Sequence, residues 1–288
     1  VEGQPDKQMV VAHRGGAQIG PENTAAAFDL AVADLIHADI LELDIHVAGD
    51  GEFVVIHDRT VDRVTGEGSG CDTAQDTEEE TFGSVRVDEL DVDALQAFDA
   101  GHCWQDPQAD DGASDDELYP FRGAGVQIPR LDDVLGYYSE QRILIEIKEV
   151  PEDRVQDLID LVVDRDALAR TCFLDFDEHG AAAVSEALPE GGCVTMSAEG
   201  TRCWAADAIL PFGGGACEDY DVGWFPEENS GFNLKKQRLV DNVHATGAPV
   251  FYWTINEEPM MEEILDLGAD GLVTDRPDVL RDLLQLRD

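Results

Sequence analysis

Two carboxylates lie two residues apart, Glu42 and Asp44, between Leu41, Leu43 and Ile45. On a strand the side-chain period of two sends both carboxylates to one face and the three aliphatics to the other. Inside a barrel such a pair repels itself and resists desolvation unless a cation neutralises it. Glu146 and Lys148 repeat the spacing between Ile143, Ile145 and Ile147. A third carboxylate and one cation are therefore expected at the same mouth. Three carboxylates suit a hard ion, Mg²⁺ or Ca²⁺, rather than zinc. Two plainer readings compete: an exposed edge strand for the first pair, and an intrastrand Glu146–Lys148 ion pair for the second. The latter would be expensive inside a barrel.

Two imidazoles sit where strands are expected to end. His13-Arg14-Gly15-Gly16 follows a short apolar run, and His57-Asp58 follows another. Histidine exchanges protons near neutral pH, and the planar fork of Arg14 matches phosphate oxygens. The glycines let backbone approach a ligand. Asp58 could orient a ring or bind an ion. Trp253 could pack against an apolar part of a substrate, although a core aromatic serves equally well there. Thr274 or Asp275 is expected to cap the last helix, with Pro277 in its first turn. His37, His46, His102, His179 and His244 have no evident partner.

These groups need elements to hold them. Strands are predicted at Met9–Ala12, Ile40–Val47, Phe53–Ile56, Ile143–Ile147, Thr171–Phe173, Gly192–Met196, Val250–Thr254 and Gly271–Val273, with a weaker one at Ala208–Leu210. Helices are predicted from a cap at Asn23 or Thr24 to about Leu35, and at Asp91–Phe98, Leu131–Tyr138, Asp153–Leu168, Glu178–Leu188, Leu234–Thr246, Glu257–Leu267 and Pro277–Leu286. Alternating strands and helices predict a parallel sheet covered by helices, and about eight units favour a closed (β/α)8 TIM barrel. Residues 60–128 break the rhythm with glycines, serines and the acidic stretches Gln75–Glu80 and Asp106–Glu117. They read as an insertion with solvated loops, inside one domain spanning residues 1–288.

Composition narrows the functions. Nineteen Lys and Arg against 63 Asp and Glu give a formal charge of −44. That disfavours nucleic acid, whose phosphates need a basic footprint, and anionic membrane surfaces. The acid excess runs along almost the whole chain, and only Lys7, Lys148, Lys235 and Lys236 are lysines. Such a chain suits molar salt, where the Debye length falls to about 3 Å, and reads as halophilic. No apolar run is long enough to span a bilayer, so no stable membrane anchor is expected. Residues 1–8 do not read as a signal peptide; a cytoplasmic site is expected, with export left open. An oligomer is compatible with these features. Six cysteines without a C-x-x-C pair argue against structural zinc. They read as scattered small hydrophobes, with a Cys203–Cys217 disulfide as the alternative.

Taken in order, the motifs resemble those of the glycerophosphodiester phosphodiesterase family. They are His13-Arg14-Gly15, Pro21-Glu22-Asn23-Thr24, Glu42-x-Asp44, Asp50-Gly51, Val55-Ile56-His57-Asp58, Asp62-Arg63-x-Thr65-Gly66-x-Gly68, Ile128-Pro129-x-Leu131, Glu146-Ile147-Lys148, Trp253-Thr254-x-Asn256, Gly268-Ala269-Asp270-Gly271 and Thr274-Asp275-x-Pro277. The resemblance runs from Val10 to Leu280. It implies a (β/α)8 barrel with a small insertion after the second strand, which residues 60–128 fit. It implies one divalent metal, Mg²⁺ or Ca²⁺, held by Glu42, Asp44 and Glu146. His13 and His57 then form the acid–base pair, and Arg14 and Lys148 match phosphate-contacting positions. The expected substrate is a small phosphodiester, cleaved to sn-glycerol 3-phosphate and an alcohol. Water or the substrate's neighbouring hydroxyl could be the nucleophile, and either histidine the acid. The chain departs from the family pattern at Arg130 and at Leu174-Asp175-Phe176, which stand where small polar residues and a Ser-Phe pair are usual. Competing readings are a phospholipase-C-like or sphingomyelinase-D-like lipid phosphodiesterase, and a barrel that binds phosphate or metal without turnover.

Overall fold

The computed structural model describes residues 7–67, 71, 84–209, 220–229 and 231–287. The chain opens with strand β1 (Met9–Ala12), helix α1 (Ala25–Val32), strand β2 (Ile40–Val47) and strand β3 (Phe53–Val55). Three one-turn helices follow: α2 (Asp62–Thr65), α3 (Val92–Leu95) and α4 (Asp115–Leu118). Then come α5 (Leu131–Tyr137), β4 (Arg142–Glu149), α6 (Val155–Asp164), β5 (Thr171–Leu174), α7 (Glu178–Ala187), β6 (Cys193–Val194) and α8 (Ala198–Ile209). The last third holds β7 (Gly223–Pro226), a small hairpin of β8 (Glu228–Asn229) and β9 (Phe232–Asn233), α9 (Gln237–His244), β10 (Val250–Trp253), α10 (Glu258–Asp266), β11 (Gly271–Thr274) and α11 (Pro277–Arg287).

The main sheet runs β6-β5-β4-β2-β1-β11-β10-β7, with β3 paired off β2. Every pair along that path is parallel, and β3 is antiparallel to β2. A parallel bridge from Thr195 to Val222 joins the two ends, so the curl of eight strands meets itself beside β6 and β7. Helices wrap the outside. Thr24 caps α1 with its hydroxyl on the amide of Ala27, and the helix buries Ala27, Phe28 and Ala31. The Phe28 ring meets Tyr138 edge-on at 5.7 Å. On α9 the buried residues Leu239, Val240 and Val243 form the single apolar stripe expected of a barrel-covering helix.

The inner part of the insertion has its own small core. Val61, Val87, Val92, Leu95, Ala100 and Ile128 pack with Val54 and Ile56. Apolar residues at these positions attach the segment to β3. The stretch Asp106–Glu117 is largely exposed, and its end forms α4 under a Ser114/Glu117 capping box. Gln75–Glu80 lies outside the described residues.

Two expectations need correction. Residues 208 and 209 end α8 instead of forming a strand, and Leu210 lies outside the described residues. The Ala-rich run favours helix, and the buried trio Thr201, Trp204 and Ala205 has helical spacing. The strand at that place in the barrel is β7, Gly-Trp-Phe-Pro, whose glycine and proline read as punctuation. Nor are the cysteines simple hydrophobes. Disulfides join Cys71 to Cys103 and Cys172 to Cys193, at Cα separations of 5.2 and 4.6 Å. The second crosses adjacent strands, since Cys172 and Cys193 are register partners. Cys203 is also disulfide-bonded, whereas Cys217 lies outside the described residues.

Candidate active site

The barrel brings the three predicted carboxylates together. Asp44 on β2 and Glu146 on β4 are register partners, and Glu42 lies one side-chain repeat below Asp44. One oxygen from each lies within 4.8 Å of the others, and all three residues are buried. Glu42 Oε1 is buried without a hydrogen-bond partner, an orphaned anionic acceptor that suits a hard cation. Burial first, and then the charge of Asp44, pushes the Glu42 carboxyl above the usual carboxylate range. Glu146 is pushed up by the same two causes. Burial opposes the charge on Asp44 too, but the Arg14 guanidinium and the Lys148 ammonium outweigh it and hold that carboxyl low. The donor set therefore fits a divalent ion: three carboxylates, all oxygen, with Glu42 Oε1 left without a protein partner.

Lys148 does form the ion pair with Glu146 that sequence reasoning rated as costly, and its Nζ also lies 3.2 Å from Asp44 Oδ1. The pair is tolerable because Lys148 sits at the mouth, with its side chain 20% exposed, and meets two carboxylates. A register shift in the β2–β4 pairing after Ile45 and Ile147 accompanies its position.

Arg14 is placed less simply than expected. It adopts a left-handed backbone, φ 52°, and is buried. That turn aims its amide at Glu42 Oε2, 2.6 Å away, while its side chain reaches Glu22 Oε1 at 3.1 Å and Asp44 Oδ2 at 3.4 Å. The next residue must be glycine: Gly15 has φ +82°, and a Cβ there would lie 2.6 Å from the Phe28 ring.

Each histidine is tied to a carboxylate through Nδ1. His13 Nδ1 donates to Asp275 Oδ1 at 2.6 Å. His57 Nδ1 donates to Asp58 Oδ1 at 2.8 Å. Burial alone would lower the His13 pKa, but the Asp275 hydrogen bond and the Glu42 charge raise it to about 9. Asp58 is held in turn by Arg63 Nε at 2.6 Å, and Arg63 grips Glu22 with two bonds of 2.7 Å. His57, Asp58, Arg63, Glu22 and Arg14 thus form one continuous network ending at Asp44. Trp253, the last residue of β10, shares the barrel-facing side with Phe251 and meets Phe176 at 5.2 Å between ring centroids.

Several contributors escaped the sequence reading. Asn23 donates to Asp44 Oδ2 at 2.8 Å and accepts from the Asp44 amide at 3.1 Å, which fixes that carboxylate. Its φ of 57° suits Asn. Glu22, Arg63 and Asn256 stand one step further out: Glu22 holds Arg14 and Arg63, Arg63 holds Asp58, and Asn256 holds Asp275. His46, left without a role, bonds the His57 carbonyl through Nε2 at 2.9 Å. Asp275, read as a helix cap, faces His13. All except His46 lie inside the motifs quoted for the resemblance, so the signal was present but its geometry was not.

Comparison with known proteins follows the same lines. The profile of the Glycerophosphoryl diester phosphodiesterase family matches residues 13–279. A glycerophosphodiester phosphodiesterase of Caldanaerobacter subterraneus subsp. tengcongensis is 27% identical over 287 residues, covering 97% of this chain and 98% of the relative. Among solved structures, the glycerophosphoryl diester phosphodiesterase domain of a Mycobacterium tuberculosis protein superposes with a TM-score of 0.74 at 21% identity, covering 98% of this chain and 100% of that one. An Oleispira antarctica phosphodiesterase, solved in complex with the product sn-glycerol-3-phosphate, superposes with a TM-score of 0.67 at 20% identity over 96% of each chain. Those two likenesses show the TIM-barrel fold.

Proposed function

The chain belongs to the glycerophosphoryl diester phosphodiesterase family, and from that premise we propose that its barrel mouth hydrolyses glycerophosphodiesters to sn-glycerol 3-phosphate and an alcohol. The observation that carries the reading is the pairing of two imidazoles, each bound to a carboxylate at Nδ1, around a triad of buried carboxylates. Each pairing leaves Nε2 for the substrate. Glu42, Asp44 and Glu146 would hold one divalent ion, Mg²⁺ or Ca²⁺. When bound, that ion supplies positive charge for the phosphoryl oxygens.

The protein's own groups do the rest. His13, whose hydrogen bond to Asp275 favours the protonated ring, donates its proton from Nε2 to the departing alkoxide, a leaving group too basic to depart unassisted. His57, oriented by Asp58, takes the proton of the attacking oxygen. Lys148 is the more exposed of the two cations, with 20% of its side chain open against 9% for Arg14. It contacts a nonbridging oxygen, while Arg14 keeps Glu42, Asp44 and Glu22 in place and adds its charge behind them. Trp253 flanks the substrate's carbon skeleton. The disulfides suit an oxidising compartment better than a reducing cytoplasm, so export fits the chain better than the cytoplasmic site expected from its sequence.

The test is turnover of glycerophosphodiesters by His13→Ala and His57→Ala. Each should lose about 10²–10⁴-fold in kcat while melting at the wild-type temperature. Unchanged turnover by either variant removes that histidine from the mechanism.

A further inference from the structure

Three neighbouring strand ends converge on His13. His13 follows β1, Asp275 follows β11 and Asn256 follows β10, and these strands are adjacent in the sheet. Asp275 Oδ1 accepts from His13 Nδ1 at 2.6 Å, and its other oxygen accepts from Asn256 Nδ2 at 2.7 Å. The Asn256 amide cannot be reversed. Its Oδ1 already accepts from the Asp275 backbone amide at 2.9 Å and from the Thr274 hydroxyl at 3.1 Å, so its NH₂ must face the carboxylate. The Asp275 carbonyl accepts from the Gln18 amide at 3.1 Å, which ties this corner to the loop carrying His13.

We propose that Asp275, oriented by Asn256, is the positioning residue for His13: it holds the ring with Nδ1–H on the carboxylate and Nε2 aimed at the substrate. The proposal rests on the proton-transfer role given to His13 above. A plain helix-capping role for Asp275 does not account for the geometry. The turn into α11 is already served by the Thr274 hydroxyl, which accepts from the Arg276 amide at 3.0 Å. Both oxygens of Asp275 point instead at His13 and Asn256. A carboxylate that fixes one nitrogen of an imidazole dictates which tautomer the other presents. Replacing it by an amide of the same shape offers an N–H where an acceptor is needed, and the ring turns or takes the wrong tautomer.

The experiment is a double-mutant cycle on a glycerophosphodiester, read as release of glycerol 3-phosphate. Asp275→Asn should lower kcat about 100-fold or more and leave KM within about twofold. His13→Ala should lower kcat at least as far. The combined His13→Ala/Asp275→Asn variant should be no slower than His13→Ala alone, because Asp275 acts only through the ring. Losses that multiply in the double variant, or a wild-type kcat in Asp275→Asn, overturn the proposal. Should Asp275→Asn fold poorly, Asn256→Ala serves in the same cycle. It leaves the carboxylate in place but loosens it, with an expected kcat loss of about 10-fold that vanishes in the His13→Ala background. A leaving-group comparison separates this proposal from the function it rests on. With bis(p-nitrophenyl) phosphate, whose leaving group needs no proton, Asp275→Asn should lose far less than with an alkyl diester. Equal losses on both overturn His13 as the proton donor. An active wild type with an indifferent Asp275→Asn overturns the positioning role alone.

Discussion

Asp175 stands at the mouth where the family pattern leads one to expect serine, and its carboxyl is poorly accommodated there. Burial, and then the charges of Asp177 and Glu146 against one amide bond from Asp177, push it up to about 6. Its Oδ2 occupies the space a Cβ on Gly180 would need, so the glycine gives the carboxylate room against α7. The folded chain therefore holds this proton between about pH 4 and 6 while the unfolded chain has released it. Folding is penalised as pH rises through that window, and the penalty persists above it. Asp175→Asn should melt with the wild type near pH 4 and above it at pH 7, by ~1–2 kcal/mol or about 2–8 °C. A variant equally stable or less stable at pH 7 shows that the carboxylate has a partner that rewards its charge. Asp44 is the opposite case: buried more deeply, but ringed by Arg14, Lys148 and Asn23, so its charge is favoured.

Among the elements, the strands that carry chemistry were the most legible. Ile40–Val47 was bounded correctly because alternation of carboxylates with Leu and Ile is unambiguous, and the adjacency of Asp44 and Glu146 follows once β2 and β4 pair in parallel. Helix ends ran long: α1 stops at Val32 and α6 at Asp164 because periodicity does not mark where the last turn unwinds. β7 was missed because four residues including Gly223 and Pro226 carry too little pattern, and only the sheet around them makes a strand. The Asp275–His13 and Asn23–Asp44 contacts were illegible because they span 262 and 21 residues. Disulfide pairing was illegible for the same reason. The Cys71–Cys103 bond spans 32 residues and tethers the insertion beside Trp104, whose Nε1 donates to the Ala17 carbonyl at 2.8 Å. Crosslinks of that length are worth roughly 3–4 kcal/mol. Cys71→Ser/Cys103→Ser should therefore melt at least about 6 °C lower while binding divalent metal as the wild type does, since the carboxylate triad lies on β2 and β4. A wild-type melting temperature would mean that the bond contributes nothing to the folded state.

At the scale of the whole molecule, −44 charges in 288 residues favour expansion unless counter-ions screen them. The melting temperature should climb steeply between 0.1 M and 2 M KCl, as the Debye length drops from about 10 Å to about 3 Å or less. A flat profile would overturn the halophilic reading of the composition. The same acidity weighs against binding a nucleic acid or an anionic bilayer, and Arg14 and Lys148 at the mouth are set against the triad. The account stands on that triad and its flanking histidines acting together on a phosphodiester. It is tested most directly by assaying the protein in molar salt with a panel of glycerophosphodiesters, first after EDTA treatment and then with Mg²⁺ or Ca²⁺ restored. The account predicts release of glycerol 3-phosphate that disappears with EDTA and returns with the metal, and that Glu42→Gln fails to recover. Turnover unaffected by EDTA, or metal binding with no turnover of any diester, would contradict it.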